Sequence, residues 1–215
     1  MESYHQEMTP MEEGAKEWLV LYDKQVDHES TRLYQRMMGS INYLSTQTRT
    51  DISFACGALM RYLHNPSPSH IKGGKRILRY LAGTKFLAMK FESGDDDRHK
   101  LHGYSEANFA NYDKAGYKSH PEWLFYLSGG VISSSSKLQT TVAMSTTEAE
   151  LYGLRMATRQ AAWIRKLLAG LKYNNDDQDT VKIYAVNQGS ISLTLNPELH
   201  QRSKHIAVKL WYVRQ

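Results

Sequence analysis

The spacing of apolar residues predicts three helices in the first part of the chain. In the first helix, which begins at Thr31, residues at steps of three or four form the expected apolar face: Leu33, Met37, Ile41 and Leu44. A second helix is predicted from Ile52 to about His64, with Asp51 as its N-cap. After a break rich in proline and serine, a third helix is predicted from its cap, Ser69, to about Gly83. Its buried face is expected to contain Ile71, Ile77, Leu78 and Leu81.

Beyond residue 85 the pattern changes to an alternation of strands and helices. Strands are predicted at 86–92, 100–105, 123–133, 138–143 and 181–186, the last of them buried. A long helix is predicted from Thr146 to Leu171, then a loop at 174–179, a short helix at 187–195 and a final helix from Ser203. The apolar face of the long helix is expected to be Leu151, Leu154, Ala161, Ile164, Leu168 and Leu171. This order of elements is typical of an α/β domain.

A polar turn at 93–97 predicts where one module ends and the next begins. We therefore divide the chain into an N-terminal arm (1–30), a helical module (31–97) and an α/β domain (98–215).

Composition narrows the class of protein. Of 215 residues, 41% are hydrophobic and 23% are charged, which is ordinary for a globular protein, and the net charge of +5 suits a nucleic-acid partner without requiring one. The single cysteine, Cys56, excludes an intramolecular disulfide and is expected to be buried in its apolar surroundings. The sequence shows no signal peptide and no membrane-spanning run, so we expect an intracellular protein, cytoplasmic or nuclear, with no membrane partner.

Several sequence motifs carry a family resemblance. Residues 43–55 (YLSTQTRTDISFA) and 75–84 (KRILRYLAGT) resemble the end of the reverse transcriptase of copia-type LTR retrotransposons. The motifs GYS (103–105), STTEAE (145–150), NQG (187–189) and KHI (204–206) then follow in the order of the ribonuclease H domain of that family. The resemblance implies a ribonuclease H-like mixed sheet with flanking helices, preceded by a small helical module like the connection or thumb. No paired-aspartate polymerase motif is present, so the chain is not expected to copy nucleic acid.

The resemblance also indicates where the catalytic carboxylates should be. Ribonuclease H hydrolysis uses two magnesium ions held by several carboxylates. Of the family's positions, Glu150 holds the expected glutamate, Glu106 replaces an aspartate with a longer acid, and Val186 and Ala207 replace aspartates with side chains that cannot bind a metal. We expect magnesium as cofactor only if activity remains, held weakly by Glu106 and Glu150. The alternative is that both are solvated acids.

Basic residues form two candidate surfaces for nucleic acid. No acidic residue occurs between Ile52 and Phe91, and within this stretch four basic residues recur at the spacing of one helix face: Lys72, Lys75, Arg76 and Arg79. A second cluster near the C-terminus contains Arg202, Lys204 and His205. Either surface could bind phosphates or could be an ordinary solvated face.

Three functions follow from these observations. The first is a catalytically inactive ribonuclease H-like protein that binds RNA–DNA hybrid or duplex. The second is a domesticated scaffold for a protein partner, and the third is a weakly active magnesium-dependent ribonuclease H.

Overall fold

Capping side chains determine where two helices of the first part begin. The structure, a computed structural model, describes residues 5–92, 100–112, 116–173 and 180–195, without the side chains of 111 and 112. Helix α1 (His28–Gln47) follows Asp27, whose carboxylate accepts a hydrogen bond from the Ser30 backbone N–H at 2.8 Å. Helix α3 (Pro68–Gly83) follows Ser67, whose Oγ accepts from the His70 N–H at 3.2 Å. The prediction of Ser69 as cap is wrong, because Pro68 suits the first helical position and moves the cap to Ser67.

The segment between α1 and α3 also differs from the prediction. Residues Thr50–Ile52 form a 3₁₀ turn, and helix α2 covers only Ser53–Met60. Asp51 does not cap this helix. Its two carboxylate oxygens accept hydrogen bonds from the Arg49 guanidinium at 2.8 and 3.0 Å, and the Tyr80 hydroxyl donates a third at 2.8 Å. The two-pronged pair with arginine supplies a second charge-assisted bond and a fixed geometry that a single capping bond to a backbone N–H lacks.

The three helices pack around a core in which α1 is rotated from its predicted face. Of the predicted face only Ile41 is buried, while Leu33 and Leu44 are exposed. The buried residues of α1 are Tyr34, Met38, Ile41 and Ser45. The Tyr34 hydroxyl donates to the Leu59 carbonyl of α2, which holds this rotation. Cys56 is buried, as predicted.

Two glycines of α3 bring that helix close to its neighbours. A Cβ at Gly73 would stand 2.8 Å from the Trp18 ring, and one at Gly74 would collide with the end of the Met37 side chain. The buried face of α3 consists of His70, Gly73, Gly74, Ile77 and Tyr80. Leu78, predicted to be buried, is exposed instead.

The second part of the chain forms a mixed sheet with helices. Its elements are β1 (His102–Tyr112), β2 (Lys118–Leu127), β3 (Gly130–Ser136), α4 (Thr146–Gly170), β4 (Lys182–Ala185) and α5 (Gln188–Leu195). The strand order is β3-β2-β1-β4; β1–β2 and β2–β3 are antiparallel, and β1–β4 is parallel. The predicted α/β class, a ribonuclease H-like mixed sheet with flanking helices, is confirmed. By its internal contacts the chain divides into two compact units, Met1–Met89 and Lys90–Gln215.

Three strand predictions are wrong in position or extent, and a fourth is wrong in burial. Residues 86–92 form no strand, and Phe86 is among the most exposed apolar side chains. The predicted strand 123–133 is the β2–β3 hairpin, because Ser128 and Gly129 both adopt the positive φ of a two-residue turn. Residues 138–143 form no strand, and β4 is half-exposed where a buried strand was predicted.

Helix α4 covers one face of the sheet. Its apolar side chains pack on Phe125 and Leu101, together with the partly buried Trp123 and Ile183. The predicted face of α4 is buried from Leu151 to Leu168, whereas Leu171 is exposed at the end of the helix. No helix in the described ranges is long and apolar enough to span a bilayer. The predicted loop at 174–179 and the final helix from Ser203 lie outside the described residues.

Candidate functional site

Helix α4 approaches β1 at the point where Glu106 lies. Residues of β1 alternate between the covered and the open face, so Ser105 and Ala107 are buried while Glu106 is exposed. Gly153 of α4 lies against this part of the strand: a Cβ there would stand 3.4 Å from both the Glu106 carbonyl oxygen and the Ser105 Oγ. Because residue 153 has no side chain, the first turns of α4 can lie directly on β1.

Glu150 is buried in the first turns of α4, with 8% of its surface exposed. Burial raises the pKa of its carboxyl, a hydrogen bond from the Ala107 backbone N–H opposes that shift, and the negative charge of Glu106 raises the pKa further. The two predicted site residues therefore interact electrostatically.

Glu148 has a structural contact of its own. The Ser145 Oγ accepts a hydrogen bond from the Glu148 N–H at 3.1 Å, so Ser145 is the N-cap of α4. The Glu148 carboxylate accepts from the Met144 N–H at 2.8 Å, one residue further upstream than a capping box requires. Glu148 therefore stabilises the start of the helix that carries Glu150.

Val186 directly follows β4, the strand that pairs with the strand of Glu106. Strand β4 runs parallel to β1, and its last paired residue, Ala185, lies opposite Ser105. Val186 follows directly, at the same edge as Glu106, and 72% of its surface is exposed. An apolar side chain therefore occupies the position where the family pattern has an aspartate. Ala207 lies outside the described residues.

A third acid, which the sequence reasoning missed, lies opposite Glu106. Glu122 on β2 is the direct partner of Glu106 across the antiparallel pair. The Ser136 hydroxyl donates to the Glu122 carboxylate at 2.7 Å and therefore accepts from the His120 Nε2, 2.9 Å away. Burial raises the pKa of Glu122, the Ser136 bond lowers it, and the charge of Glu106 raises it. Only the strand register, which the sequence reasoning did not predict, would have revealed this pair.

These side chains do not fit a two-magnesium centre. Across the described ranges, no three histidine, cysteine, aspartate or glutamate side chains converge closely enough to hold a metal ion. The acids around Glu106 lie on different sides: Glu150 is directed to the Ala107 N–H under the helix, and Glu122 to Ser136 along the sheet. With Val186 at the remaining described position, the donor set lacks the converging carboxylates that two ions need.

The predicted basic stripe on α3 is divided into an exposed and a paired half. Lys72 and Lys75 are exposed. Arg76 and Arg79 are half-buried and form ion pairs with the N-terminal segment, the shortest being 2.7 Å between the Arg76 Nη1 and the Glu7 Oε2. Of the other predicted binding residues, Arg202, Lys204 and His205 lie outside the described residues.

The open face of the sheet carries a cluster of aromatic rings that the sequence reasoning also missed. His102 stacks on Tyr126 with ring centroids 5.5 Å apart, and Tyr104 stacks on Tyr184 at 5.1 Å. About half of the surface of Tyr104 and Tyr184 is exposed. The four residues come from three strands, so only the sheet topology brings them together.

The fold and the order of the sequence motifs define a ribonuclease H-like α/β protein. Sequence comparisons agree with the resemblance of those motifs to retrotransposon proteins. The chain is 37% identical over 182 residues to the retrovirus-related Pol polyprotein from transposon TNT 1-94 of Nicotiana tabacum, and 38% over 181 residues to that from transposon RE1 of Arabidopsis thaliana. It is 40% identical over 131 residues to the secreted RxLR effector protein 161 of Plasmopara viticola, covering 61% of this chain and 90% of that protein. No family model matches.

The chain belongs to the family of copia-type retrotransposon Pol polyproteins. The alignments cover 85% and 84% of this chain but only 13% and 12% of the two polyproteins. The chain thus corresponds to a small part of those relatives.

Proposed function

We propose that this protein is a retrotransposon-derived ribonuclease H-like module that binds RNA–DNA hybrid or duplex and does not cleave it. The observation that carries the loss of cleavage is Val186, an exposed apolar residue at the sheet edge beside Glu106. An isopropyl group supplies neither a metal ligand nor a charge that attracts magnesium. Glu150, buried and with a raised pKa, is poorly suited to bind a second ion without such a partner.

Retained binding is supported by the charge of α3. Lys72 and Lys75 are exposed on a helix within a stretch that has no acidic residue from Ile52 to Phe91. Lysines on one helix face bind a phosphate backbone without reading base sequence. The expected interaction is therefore electrostatic, sensitive to salt and tolerant of sequence.

A second candidate function is a scaffold for a protein partner. Trp163 and Leu167 of α4 and its C-cap residue Leu171 recur at four-residue steps, and each exposes about half of its surface or more. Arg159 and Lys166, also exposed, lie on the same helix. An exposed apolar ridge beside basic residues is typical of a protein contact. The weakly active nuclease ranks third, because its two acids would have to act without converging partners.

An electrophoretic mobility shift on hybrid, duplex and single-stranded substrates at two salt concentrations separates the first two functions. We expect binding to hybrid and duplex that weakens steeply with salt, and Lys75→Ala should reduce the salt slope by about 0.9 if one phosphate contact is lost. Lys137→Ala, which removes an exposed lysine from the other unit, is the matched control and should leave the slope unchanged. Absence of salt-sensitive binding would favour the scaffold.

A further inference from the structure

The N-terminal segment places acidic side chains on the basic face of α3. We call residues 5–14 the acidic arm. The Glu7 carboxylate spans two guanidinium groups, with 2.7 Å from its Oε2 to the Arg76 Nη1 and 3.4 Å from its Oε1 to the Arg79 Nε. The Glu12 carboxylate lies 4.0 Å from the same Arg76 nitrogen, and the Arg76 Nη2 donates to the Thr9 hydroxyl at 3.2 Å. One anion held by two arginines on a helix face is also how proteins hold a phosphate group.

The chain that follows the acidic arm is anchored independently of these ion pairs. The Trp18 ring packs against Gly73 and lies 6.2 Å from the His70 ring. Leu19 is buried, and its carbonyl accepts a hydrogen bond from the Tyr62 hydroxyl. The Asn65 amide donates to two further carbonyls of the segment between this anchor and α1. A hydrogen bond from the Trp18 Nε1 to the Glu12 carboxylate joins the acidic arm to this anchor, whereas the contacts of Leu19 and Asn65 do not involve the arm. Glu7 can therefore leave α3 while those contacts stay in place.

The ion pairs themselves are suited to competition. The side chains of Arg76, Arg79 and Glu7 are between 20% and 26% exposed, so solvent and salt reach them. Lys72 and Lys75 remain exposed on the same helix. A polyanion can therefore first contact the two lysines, and its next phosphates can then replace the carboxylates of the acidic arm at the arginines.

We propose that the acidic arm occupies, within the same chain, the phosphate-binding positions of Arg76 and Arg79 and so competes with nucleic acid for α3. The proposal rests on the nucleic-acid binding proposed above. It predicts that the protein binds hybrid more weakly than its basic helix would allow, and that neutralising Glu7 and Glu12, the two acids of the arm that face Arg76, removes this restraint.

The test compares Glu7→Gln/Glu12→Gln with the wild type by fluorescence anisotropy on a labelled RNA–DNA hybrid. Glutamine keeps the acceptor oxygen that the Trp18 Nε1 uses on Glu12, 2.8 Å away, so the anchor is expected to remain intact. The double variant should bind more tightly, and its salt slope should steepen by about 1.8 if two phosphate contacts are gained. Glu13→Gln/Glu17→Gln removes the same charge from two exposed residues outside the ion pairs and is the matched control. Thermal unfolding checks that all variants fold, and Glu7→Gln alone serves if the double variant does not.

Each outcome has one meaning. The competition is supported if the Glu7/Glu12 variant binds hybrid more tightly than the wild type while the control variant does not. This gain in affinity should disappear when Arg76 and Arg79 are also changed to alanine. Unchanged affinity in the Glu7/Glu12 variant, an equal gain in both variants, or a gain that survives without the two arginines overturns the competition but leaves the binding function intact. If neither the wild type nor any variant binds hybrid, both proposals are wrong.

Discussion

The substitution Gly103→Ala, which adds one methyl group to β1, should test the packing of α4 against the sheet. Gly103 faces the Phe125 ring so closely that a Cβ would stand 2.5 Å from its Cε1, 2.7 Å from its Cδ1 and 3.0 Å from its Cζ. The ring cannot move aside easily, because Phe125 is fully buried against Ala157 and Ile164 of α4. Overpacking of this kind costs about 1–3 kcal/mol, more than the roughly 0.5–1 kcal/mol gained by replacing a strand glycine. Gly103→Ala is therefore expected to destabilise the second unit by about 1–2 kcal/mol.

The measurement is urea unfolding followed by far-ultraviolet circular dichroism. Gly170→Ala is the matched control, because nothing lies within 4 Å of a Cβ at that position in the same unit, and it should be neutral or slightly stabilising. Phe125→Leu should lower the free energy of unfolding less in the Gly103→Ala background than in the wild type, since the smaller leucine side chain makes room for the methyl group. If Gly103→Ala has no more effect than Gly170→Ala, the close contact is wrong and so is the depth at which α4 lies on β1.

Two further predictions concern the carboxyl site and the start of α3. Glu150→Gln should raise the urea midpoint of unfolding at neutral pH, and this gain should fade below about pH 4.5. The reason is that the raised pKa of Glu150 makes the folded state bind more protons than the unfolded state. The wild type therefore loses stability as the pH rises through the folded-state pKa, and glutamine avoids this loss. An equal gain in the urea midpoint at neutral pH and below about pH 4.5 would contradict a raised pKa of Glu150. Ser67→Ala should lower the free energy of unfolding by about 1 kcal/mol in the same assay, since it removes the N-cap of α3. Ser69→Ala should lower it little, and a larger loss for Ser69→Ala than for Ser67→Ala would show that Ser67 is not the cap.

Helix positions could be predicted from the sequence because their signals are local. The start of α1 and both ends of α4 and α5 were predicted within a few residues of their observed positions. The exact buried face of α1 depends on contacts with other elements, such as the Tyr34–Leu59 hydrogen bond, and periodicity alone missed it by one residue. Asp51 resembles an N-cap in sequence, but its partners Arg49 and Tyr80 are supplied by the loop and by α3.

The sheet was harder to predict because its signals are weaker or depend on distant residues. Strand β2 begins at Lys118, five residues before the predicted start at Trp123, and it contains Pro121, a residue that normally argues against a central strand. The turn at Ser128 and Gly129 was missed, and with it the register that places Glu122 opposite Glu106. The positions of Glu106, Glu150 and Val186 came from the family resemblance, and whether they act in a site remains a prediction.

The central claim is that the protein binds RNA–DNA hybrid without cutting it. The most direct test incubates one labelled hybrid with the wild type and with Glu150→Gln, in the presence of magnesium or manganese, and separates both complexes and products on gels. We predict a salt-sensitive complex for both proteins and no cleavage product from either. Cleavage by the wild type that disappears in Glu150→Gln would contradict the claim and restore Glu106 and Glu150 as a working site.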